Sequence, residues 1–560
     1  MKACCFDSEA LRNATGDVFG RIYEYFLMKF AMQGAQDNGE FFTPPSLVQT
    51  LVNVIEPDHG VVADLACGSG GMFVQSSYFI EHEGRDTMQR VTFYGQEKTA
   101  TTIRLAKMNL AVHGLEGDIR EANSFYDDVH RLQDGRTLWG NCDFVMANPP
   151  FNVDMVDAER VKDDRRLPFG LPGVNKDKRV SNGNYLWISY FHSYLSATGR
   201  AGFVMSSQAS SAGHGEREVR RKLVETGDVD VMIAIRSNFF YTRTVPCELW
   251  HFDRAKPAER KDRVLMLDAR NVYRKITRKI YDFSPEQQAN LTAIVWLYRG
   301  QQDRFLALVQ RYVVRLRAEA NAIAPALTSF ESTLSASREP LATFAESVRD
   351  LAAIAPEKRH GVEAALAQLR EANDAYATDC ASLVNGLALF ASSPLPQAGE
   401  GLGVRVAATN AAQHKARQTF DPLAEASRSL IKQIDLLYKL AARAAQLAHE
   451  LSTDEAAAKF FDRRATGKLT KLLEEERKAT VEQLKAAAYV HRQIAWLQDR
   501  FPNAEMQDVP GLCKVVTRAE IQAADWSLTP GRFVGVAPVE VDEDFDFEQT
   551  SVKFMWNWPT

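Results

Sequence analysis

The chain of 560 residues has room for about three or four domains, and 45% hydrophobic with 25% charged residues is ordinary for a soluble globular protein. A net charge of -5 carries no global basic signature, so any nucleic-acid contact has to come from a local patch or a partner. Seven scattered cysteines without a Cys-x-x-Cys pair argue against a disulfide framework and a zinc site and for a reducing cytosol; the N-terminus has no signal-peptide apolar core, and no run approaches the ~18 apolar residues of a membrane span.

Phe19, Ile22, Tyr23, Phe26, Leu27 and Phe30 fall at three- and four-residue steps and predict an amphipathic helix over 19–32. In Gly39-Glu40-Phe41-Phe42-Thr43-Pro44-Pro45, Thr43 reads as an N-cap with Pro44 at the first helical position. Leu47, Val48, Leu51, Val52 and Ile55 then supply the buried face of the helix. An ordinary capped helix explains this stretch as well as a ligand contact does.

Val61-Val62-Ala63-Asp64-Leu65-Ala66 reads as a buried strand running into Cys67-Gly68-Ser69-Gly70-Gly71, after which a helical pattern resumes at Met72-Phe73. Glycines between strand and helix let backbone amides approach a ligand, and a helix N-terminus favours an anionic group such as a carboxylate. A second strand, Val91-Thr92-Phe93-Tyr94-Gly95, ends at Gln96-Glu97. The spacing suits one βαβ unit of ~30 residues, in which a carboxylate at the second strand's end accepts hydrogen bonds from ribose hydroxyls. A helix over 101–113 and a shorter third strand with its exit loop, Ile119 to Phe125, bring Asn123 to the same edge.

The fourth strand ends at Phe144-Val145-Met146 and delivers Ala147-Asn148-Pro149-Pro150-Phe151. Two prolines cannot donate to a ladder and each fixes φ, so the chain leaves the sheet as a stiff loop with Asn148 at its root. An amide carbonyl can accept bonds from an exocyclic amine, and the Phe151 ring can stack on a planar base. Such a string should arise by chance in roughly one chain in a hundred of this length, given proline's abundance. Four strand ends thus predict a nucleotide-type pocket beside a second pocket for a planar substrate.

Residues 154–180 mix Arg160, Lys162, Arg165, Arg166, Lys176, Lys178 and Arg179 with six acids, and 254–279 is richer still in cations. Most such runs are solvated faces; the first, directly after Phe151, is read as contacting phosphate. From about Asp303 the composition turns alanine-rich with sustained helical periodicity: Phe305, Val309, Tyr312, Leu316; Leu430, Ile434, Leu437, Ala441, Ala444, Ala448, Leu451; Val490, Ile494, Leu497, Phe501. Small residues at that seam allow hairpins within the chain or docking on a partner's helices. Residues 392–403, rich in proline and glycine, read as a disordered inserted loop, and the acidic run from Glu540 to Glu548 as a solvated tail.

The order Phe-Phe-Thr-Pro (41–44), Asp-Leu-Ala-Cys-Gly-Ser-Gly-Gly-Met-Phe (64–73), Gly-Gln-Glu (95–97) and Asn-Pro-Pro-Phe (148–151) resembles the S-adenosylmethionine-dependent DNA adenine-N6 methyltransferases. Within them it most resembles the modification subunits of type I restriction-modification systems. The likeness continues through Gly199 to Met205, Gly215 to Arg220, Phe239-Phe240-Tyr241, Trp296 to Gly300, and Ala524 to Gly535. It implies that Phe42, Thr43, Pro44, Asp64, Gly68, Ser69, Gly70, Gly71, Glu97 and Asn123 hold the cofactor, with Glu97 at the ribose and Asn123 by the cofactor adenine. Asn148, Pro149, Pro150 and Phe151 would receive the target base, without a metal.

The implied fold class is α/β: a Rossmann-like methyltransferase sheet with helices on both faces, followed by a long, mostly helical C-terminal region. The expected divisions are an N-terminal remnant over 1–45, the methyltransferase domain over 46–300, helices that dock a partner over 301–505 with an insertion near 392–408, and a C-terminal segment over 506–560. The resemblance further implies a bacterial cytoplasmic enzyme acting on duplex DNA with a specificity subunit, a restriction subunit and a second modification subunit. Leu65 stands where the family often has proline, and Asn123 where aspartate is usual. The family's N-terminal helical domain and last helix are not found, so the chain reads as a truncated copy. The alternatives are a catalytically weak scaffold of the same complex, or a methyltransferase acting on RNA or on glutamine in protein.

Overall fold

The computed structural model describes residues 43–536 except 241–244, 278–279, 352–353, 394–398, 402–403 and 407–408, together with Gly20, Tyr23 and Phe26. Most of the helix expected over 19–32, Phe42 and the acidic run from Glu540 therefore lie outside the described residues. The chain forms two compact units, Met1–Arg299 with Met506–Thr560, and Gly300–Glu505.

The first unit is built on a nine-stranded sheet. Its strands are β1 (Gly60–Asp64), β2 (Val91–Glu97), β3 (Gly117–Glu121), β4 (Cys142–Ala147), β5 (Leu195–Ser206), β6 (Val229–Ile235), β7 (Cys247–Asp253), β8 (Arg263–Asp268) and β9 (Cys513–Thr517). They lie in the order 9-8-6-7-5-4-1-2-3. Strands β1 to β5 are mutually parallel where they pair, whereas β7 runs antiparallel to both β5 and β6. Strand β9, from beyond the second unit, adds antiparallel to β8 with Leu265 opposite Val515. The winding reverses between β1 and β4, where Val62 lies beside Phe144 and Ala63 beside Val145. A reversal of this kind opens a crevice at the carboxyl ends of the two strands.

All seven residues of β6 and all seven of β7 are buried. Successive side chains point to opposite faces, so both faces of the sheet are covered. Among the described residues, the longer helices that join the strands or precede them are α1 (Pro45–Ile55), α2 (Gly71–His82), α3 (Ala100–Val112), α4 (Asn184–Tyr194) and α5 (His214–Glu225), and α6 (Pro285–Tyr298) ends the unit's first part. The expected face of α1 is buried, but so are Ser46, Thr50 and Val54. The reason is α6, which covers the opposite side: Gln288 donates to the Ser46 carbonyl at 2.8 Å and Arg299 to the Val54 carbonyl at 2.7 Å.

Most of the described cations over 254–279 pair with carboxylates. Lys256, Arg260 and Arg299 converge on the buried Asp230 of β6, and Lys261 and Arg254 on Asp228. These three cations hold the Asp230 carboxyl below its usual range against the opposing effect of burial. Of the described cations in this stretch, Lys256 is buried and the others reach solvent in part or in full.

The second unit consists of long helices: α7 (Gln302–Asn321), α8 (Ile323–Val348), α9 (Pro356–Ser392), α10 (Asn410–Leu451) and α11 (Arg463–Arg500). Every residue of the three predicted apolar series is buried. Phe390 of α9 packs on Phe420 of α10, and Arg477 of α11 pairs with Asp435 of α10 at 2.7 Å. The insertion departs from its expected disorder, because Gly399–Gly401 and Val404–Val406 pair as a short antiparallel ladder, with Glu400 opposite Arg405. Backbone groups that find partners in a ladder need not stay in solvent.

Candidate active site

The carboxyl edge of β1, β2, β3 and β4 gathers the predicted site residues by hydrogen bonds between successive loops. Gly68 (φ 51°) and Gly70 (φ 78°) adopt the left-handed conformation that turns the chain from β1 into α2. No side chain caps α2, so its first amides remain available to a ligand. Asn109 of α3 donates to the Ser69 carbonyl at 2.8 Å and fixes the turn from behind. The Cys67 amide donates to the Gln96 carbonyl at 2.9 Å, tying the turn to β2.

Glu97 stands at the end of β2. Its Oε2 accepts from the Gly68 amide at 3.2 Å, and Oε1 accepts from the amides of Lys98 and Thr99 at 2.8 and 3.1 Å. Three backbone donors hold the carboxylate against the glycine turn, and its remaining lone pairs can accept from a ligand's hydroxyls. Asp64 is fully buried, with Oδ1 accepting from the Ala66 amide at 2.9 Å. Burial pushes its carboxyl up to about 8, and the charge of Glu97 pushes the same way.

Asn123 follows β3. Its Oδ1 accepts from the Phe125 amide at 3.2 Å, and its own amide donates to Asp127 at 3.0 Å. The side-chain carbonyl that the sequence reading offers to an amine therefore already has one donor, leaving one lone pair. Ser124 donates to the Leu65 carbonyl at 2.5 Å, and Gln96 donates to Ser124 at 3.3 Å, so the exits of β1, β2 and β3 form one bonded group.

Asn148 lies at the end of β4, half-buried between the buried Ala147 and Pro149, while Pro150 is exposed. Its Nδ2 donates to Thr43 Oγ1 at 2.8 Å, and its Oδ1 is buried without a partner. Thr43 is thus not the N-cap of α1. Pro44 takes that position and Pro45 the first helical one, where the missing N–H costs nothing, which frees the Thr43 hydroxyl for Asn148.

The loop beyond is pinned by a residue the sequence reading passed over. Asn184, the first residue of α4, accepts from the Asn152 amide at 2.8 Å and donates to the Asn152 side chain at 2.9 Å. Phe151 meets Phe240 edge to face, ring centres 6.4 Å apart. Phe240 follows β6 at the same sheet edge, and its signal in the sequence was the aromatic pair shortly after a mostly apolar strand.

The expectation of phosphate contact over 154–180 meets a different arrangement. Arg166 is buried, bonded to Asp164 and to the carbonyls of Ser124, Phe125 and Asp127. Arg165 pairs with Asp128, Lys162 and Lys178 with Glu159, and Arg179 with Asp157, while Arg160 lies over the Tyr126 ring. Lys176 is exposed. Acids interleaved in this stretch pair with four of its cations, Lys162, Arg166, Lys178 and Arg179.

A strand order of 3-2-1-4-5-7-6 with the seventh strand reversed, a glycine turn after β1, an acid after β2 and the Asn-Pro-Pro-Phe loop after β4 define a Rossmann-like methyltransferase unit. Residues 14–320, more than half of the chain, match the model of the N-6 DNA methylase family, and the chain belongs to that family. It is 41% identical over 264 residues to the MjaIX type I restriction enzyme methylase subunit of Methanocaldococcus jannaschii, covering 47% of this chain and 46% of that protein. It is 33% identical over 290 residues to the HindI methylase subunit of Haemophilus influenzae, covering 51% and 62%. The chain spans about half the length of the curated relatives it matches. Among solved structures, the type I restriction-modification methyltransferase subunit of Streptococcus thermophilus aligns with a TM-score of 0.43 and 22% identity over 50% of this chain and 58% of that one.

Proposed function

We propose that this chain transfers a methyl group from S-adenosylmethionine to N6 of adenine in duplex DNA, as the modification subunit of a type I restriction-modification complex. The observation that carries the reading is Asn148: its amide nitrogen is committed to Thr43 and its carbonyl oxygen is buried and unpartnered. A buried acceptor without a donor is costly unless a ligand completes it, and an exocyclic amine is the complementary group.

The residues present suit the cofactor. The uncapped start of α2 suits a carboxylate, Glu97 suits ribose hydroxyls, and the remaining lone pair of Asn123 suits an adenine amine. When bound, S-adenosylmethionine supplies an electrophilic methyl group on a sulfonium. The rest falls to the chain. Asn148 Oδ1 and the Pro149 carbonyl accept the two N6 hydrogens and favour the positive charge that develops on nitrogen, as preorganised dipoles do. Phe151, backed by Phe240, offers a stacking surface worth about 1–3 kcal/mol to a base flipped from the duplex at a cost of a few kcal/mol. Thr43, Pro44 and the turn over Asp64, Gly68, Ser69, Gly70 and Gly71 shape the donor side, and Pro149 and Pro150 stiffen the acceptor side.

The names of the relatives support the assignment to a type I complex, with target choice delegated to a specificity subunit gripped by the second unit's helices, a second modification subunit, and cleavage left to a restriction subunit in the bacterial cytoplasm. The test is transfer of labelled methyl to duplex DNA, RNA and protein, with and without the neighbouring specificity protein. Adenine methylation of duplex DNA that depends on that protein is the expected result. Transfer to RNA or to glutamine overturns the substrate, and cofactor binding without any transfer leaves the scaffold reading.

A further inference from the structure

Most arginines around the sheet's carboxyl edge are committed to carboxylates or carbonyls. Arg270 is held by Asp268, Arg220 by the carbonyls of Trp526 and Ala209, and Arg166 as described above. Arg236, the first residue after β6, differs. Its guanidinium carbon lies 4.0 Å from the ring centre of Tyr273 and 4.4 Å from that of Tyr281. The two rings stand at 83° to each other with centres 5.0 Å apart, forming a corner that holds the cation. Nε is buried without a hydrogen bond, and no carboxylate of the described residues pairs with the group.

The corner is itself braced. Tyr281 belongs to a short ladder in which Arg274 lies opposite Asp282 and Lys275 opposite Tyr281. The Tyr281 amide donates to the Asn238 carbonyl at 3.0 Å, and Asn238 takes a left-handed φ of 74°. Phe239 packs on Phe283 with ring centres 4.6 Å apart. The connection after β6 that opens with Arg236 therefore carries, four residues on, Phe240, the ring against Phe151. A guanidinium stacked by its face keeps its edge N–H donors for a planar or tetrahedral oxyanion, and aromatic stacking immobilises it without neutralising it.

From this arrangement, which rests on the DNA methyltransferase reading, we infer that Arg236 binds a backbone phosphate of the strand whose adenine enters the pocket between Asn148 and Phe151. The net charge of -5 and the internal pairing of the cations over 154–180 and 254–279 leave few fixed cations at this edge. Arg236 is prepaid in conformational entropy, which is what a positioning contact to phosphate requires.

The test measures binding of the full chain to a fluorescent mixed-sequence DNA duplex across a salt series. Arg236→Gln and Arg236→Met, the latter filling the slot between the rings with an apolar stem, should each make the plot of log affinity against log salt shallower by about one unit. Arg236→Lys, which keeps the charge, should keep the slope. Arg136→Gln, an exposed arginine paired to Asp134 on the far side of a turn, controls for the general change in net charge. Thermal melting run alongside identifies any variant that fails to fold, and the methionine form then carries the comparison. Unchanged slopes in folded variants overturn the inference and make Arg236 a structural pin between two tyrosines. A wild-type chain that binds cofactor but, even with the neighbouring specificity protein added, no duplex removes the DNA reading, and this contact with it.

Discussion

Asn148 Nδ2 donates to Thr43 Oγ1 at 2.8 Å, and this one bond decides which atom of the Asn148 amide faces the crevice. Were the amide turned over, an N–H would stand where the proposed mechanism requires an acceptor. Thr43→Val keeps the shape of the side chain and removes the hydroxyl, so the amide loses its orientation. In the reconstituted complex, single-turnover methyl transfer should fall by about tenfold, as expected for loss of a positioning group. Thr43→Ser should restore it. Asn148→Ala, which removes the acceptor itself, should cost roughly 10² to 10³ in rate. Normal turnover in either Thr43→Val or Asn148→Ala would take the amide out of the reaction.

Phe151 is half-buried and backed by the buried Phe240, so its ring is rigid before any base arrives. Phe151→Leu retains apolar area but not a stacking face. The loss of about 1–3 kcal/mol should appear as weaker retention of an extruded base, read from the fluorescence of 2-aminopurine placed at the target adenine. Equal fluorescence gain in wild type and variant would assign the base another platform.

Much of this site could be read from the sequence because its signals are local. Prolines at 149 and 150, glycines at 68 and 70, and an acid closing an apolar run at 97 each constrain the backbone within a few residues. What escaped the sequence were relationships between distant elements. Thr43 looks like a cap until α1 is seen to begin one residue later and Asn148 to arrive from β4. Asn184 pins the Asn152 loop across thirty-two positions, and no periodicity announces that. The cations over 154–180 read as a phosphate surface, whereas which acid of the stretch meets which cation, and that Asp128 reaches Arg165 and the Ser124 carbonyl Arg166, depends on the folded chain.

The seam of the second unit makes a separate prediction. Ala441, Ala444 and Ala448 are buried along α10 at the same alternation as Leu430, Ile434 and Leu437, and they set how closely the neighbouring helices approach. Ala444→Leu inserts three heavy atoms into a position with no exposed surface. Overpacking of this kind costs about 1–3 kcal/mol, to be read as a lower melting temperature of the helical transition. An unchanged melt would mean that the seam can open locally.

Asp64 ties stability to pH in a direction opposite to that of a salt-bridged acid. Burial, aided by Glu97 and opposed only by the Ala66 amide, raises its carboxyl from 3.8 to about 8. Between those two values the folded unit holds a proton that the unfolded chain has released. The unfolded state binds fewer protons there, so the contribution of this group to stability falls as pH rises through the window and is fully lost above about pH 8. Asp64→Asn keeps the size and the acceptor for Ala66 but cannot ionise. The urea midpoint of the first unit, followed by pulse proteolysis with mass spectrometry, should decline less between about pH 5 and about pH 9 in the variant than in the wild type. Taking the difference between the two cancels the other titrating groups, such as His130, whose imidazole burial keeps below its usual range. Parallel curves would mean that Asp64 is ionised in the folded chain. The carboxylate would then have to draw its compensation from the turn at Gly68, beside the proposed cofactor site.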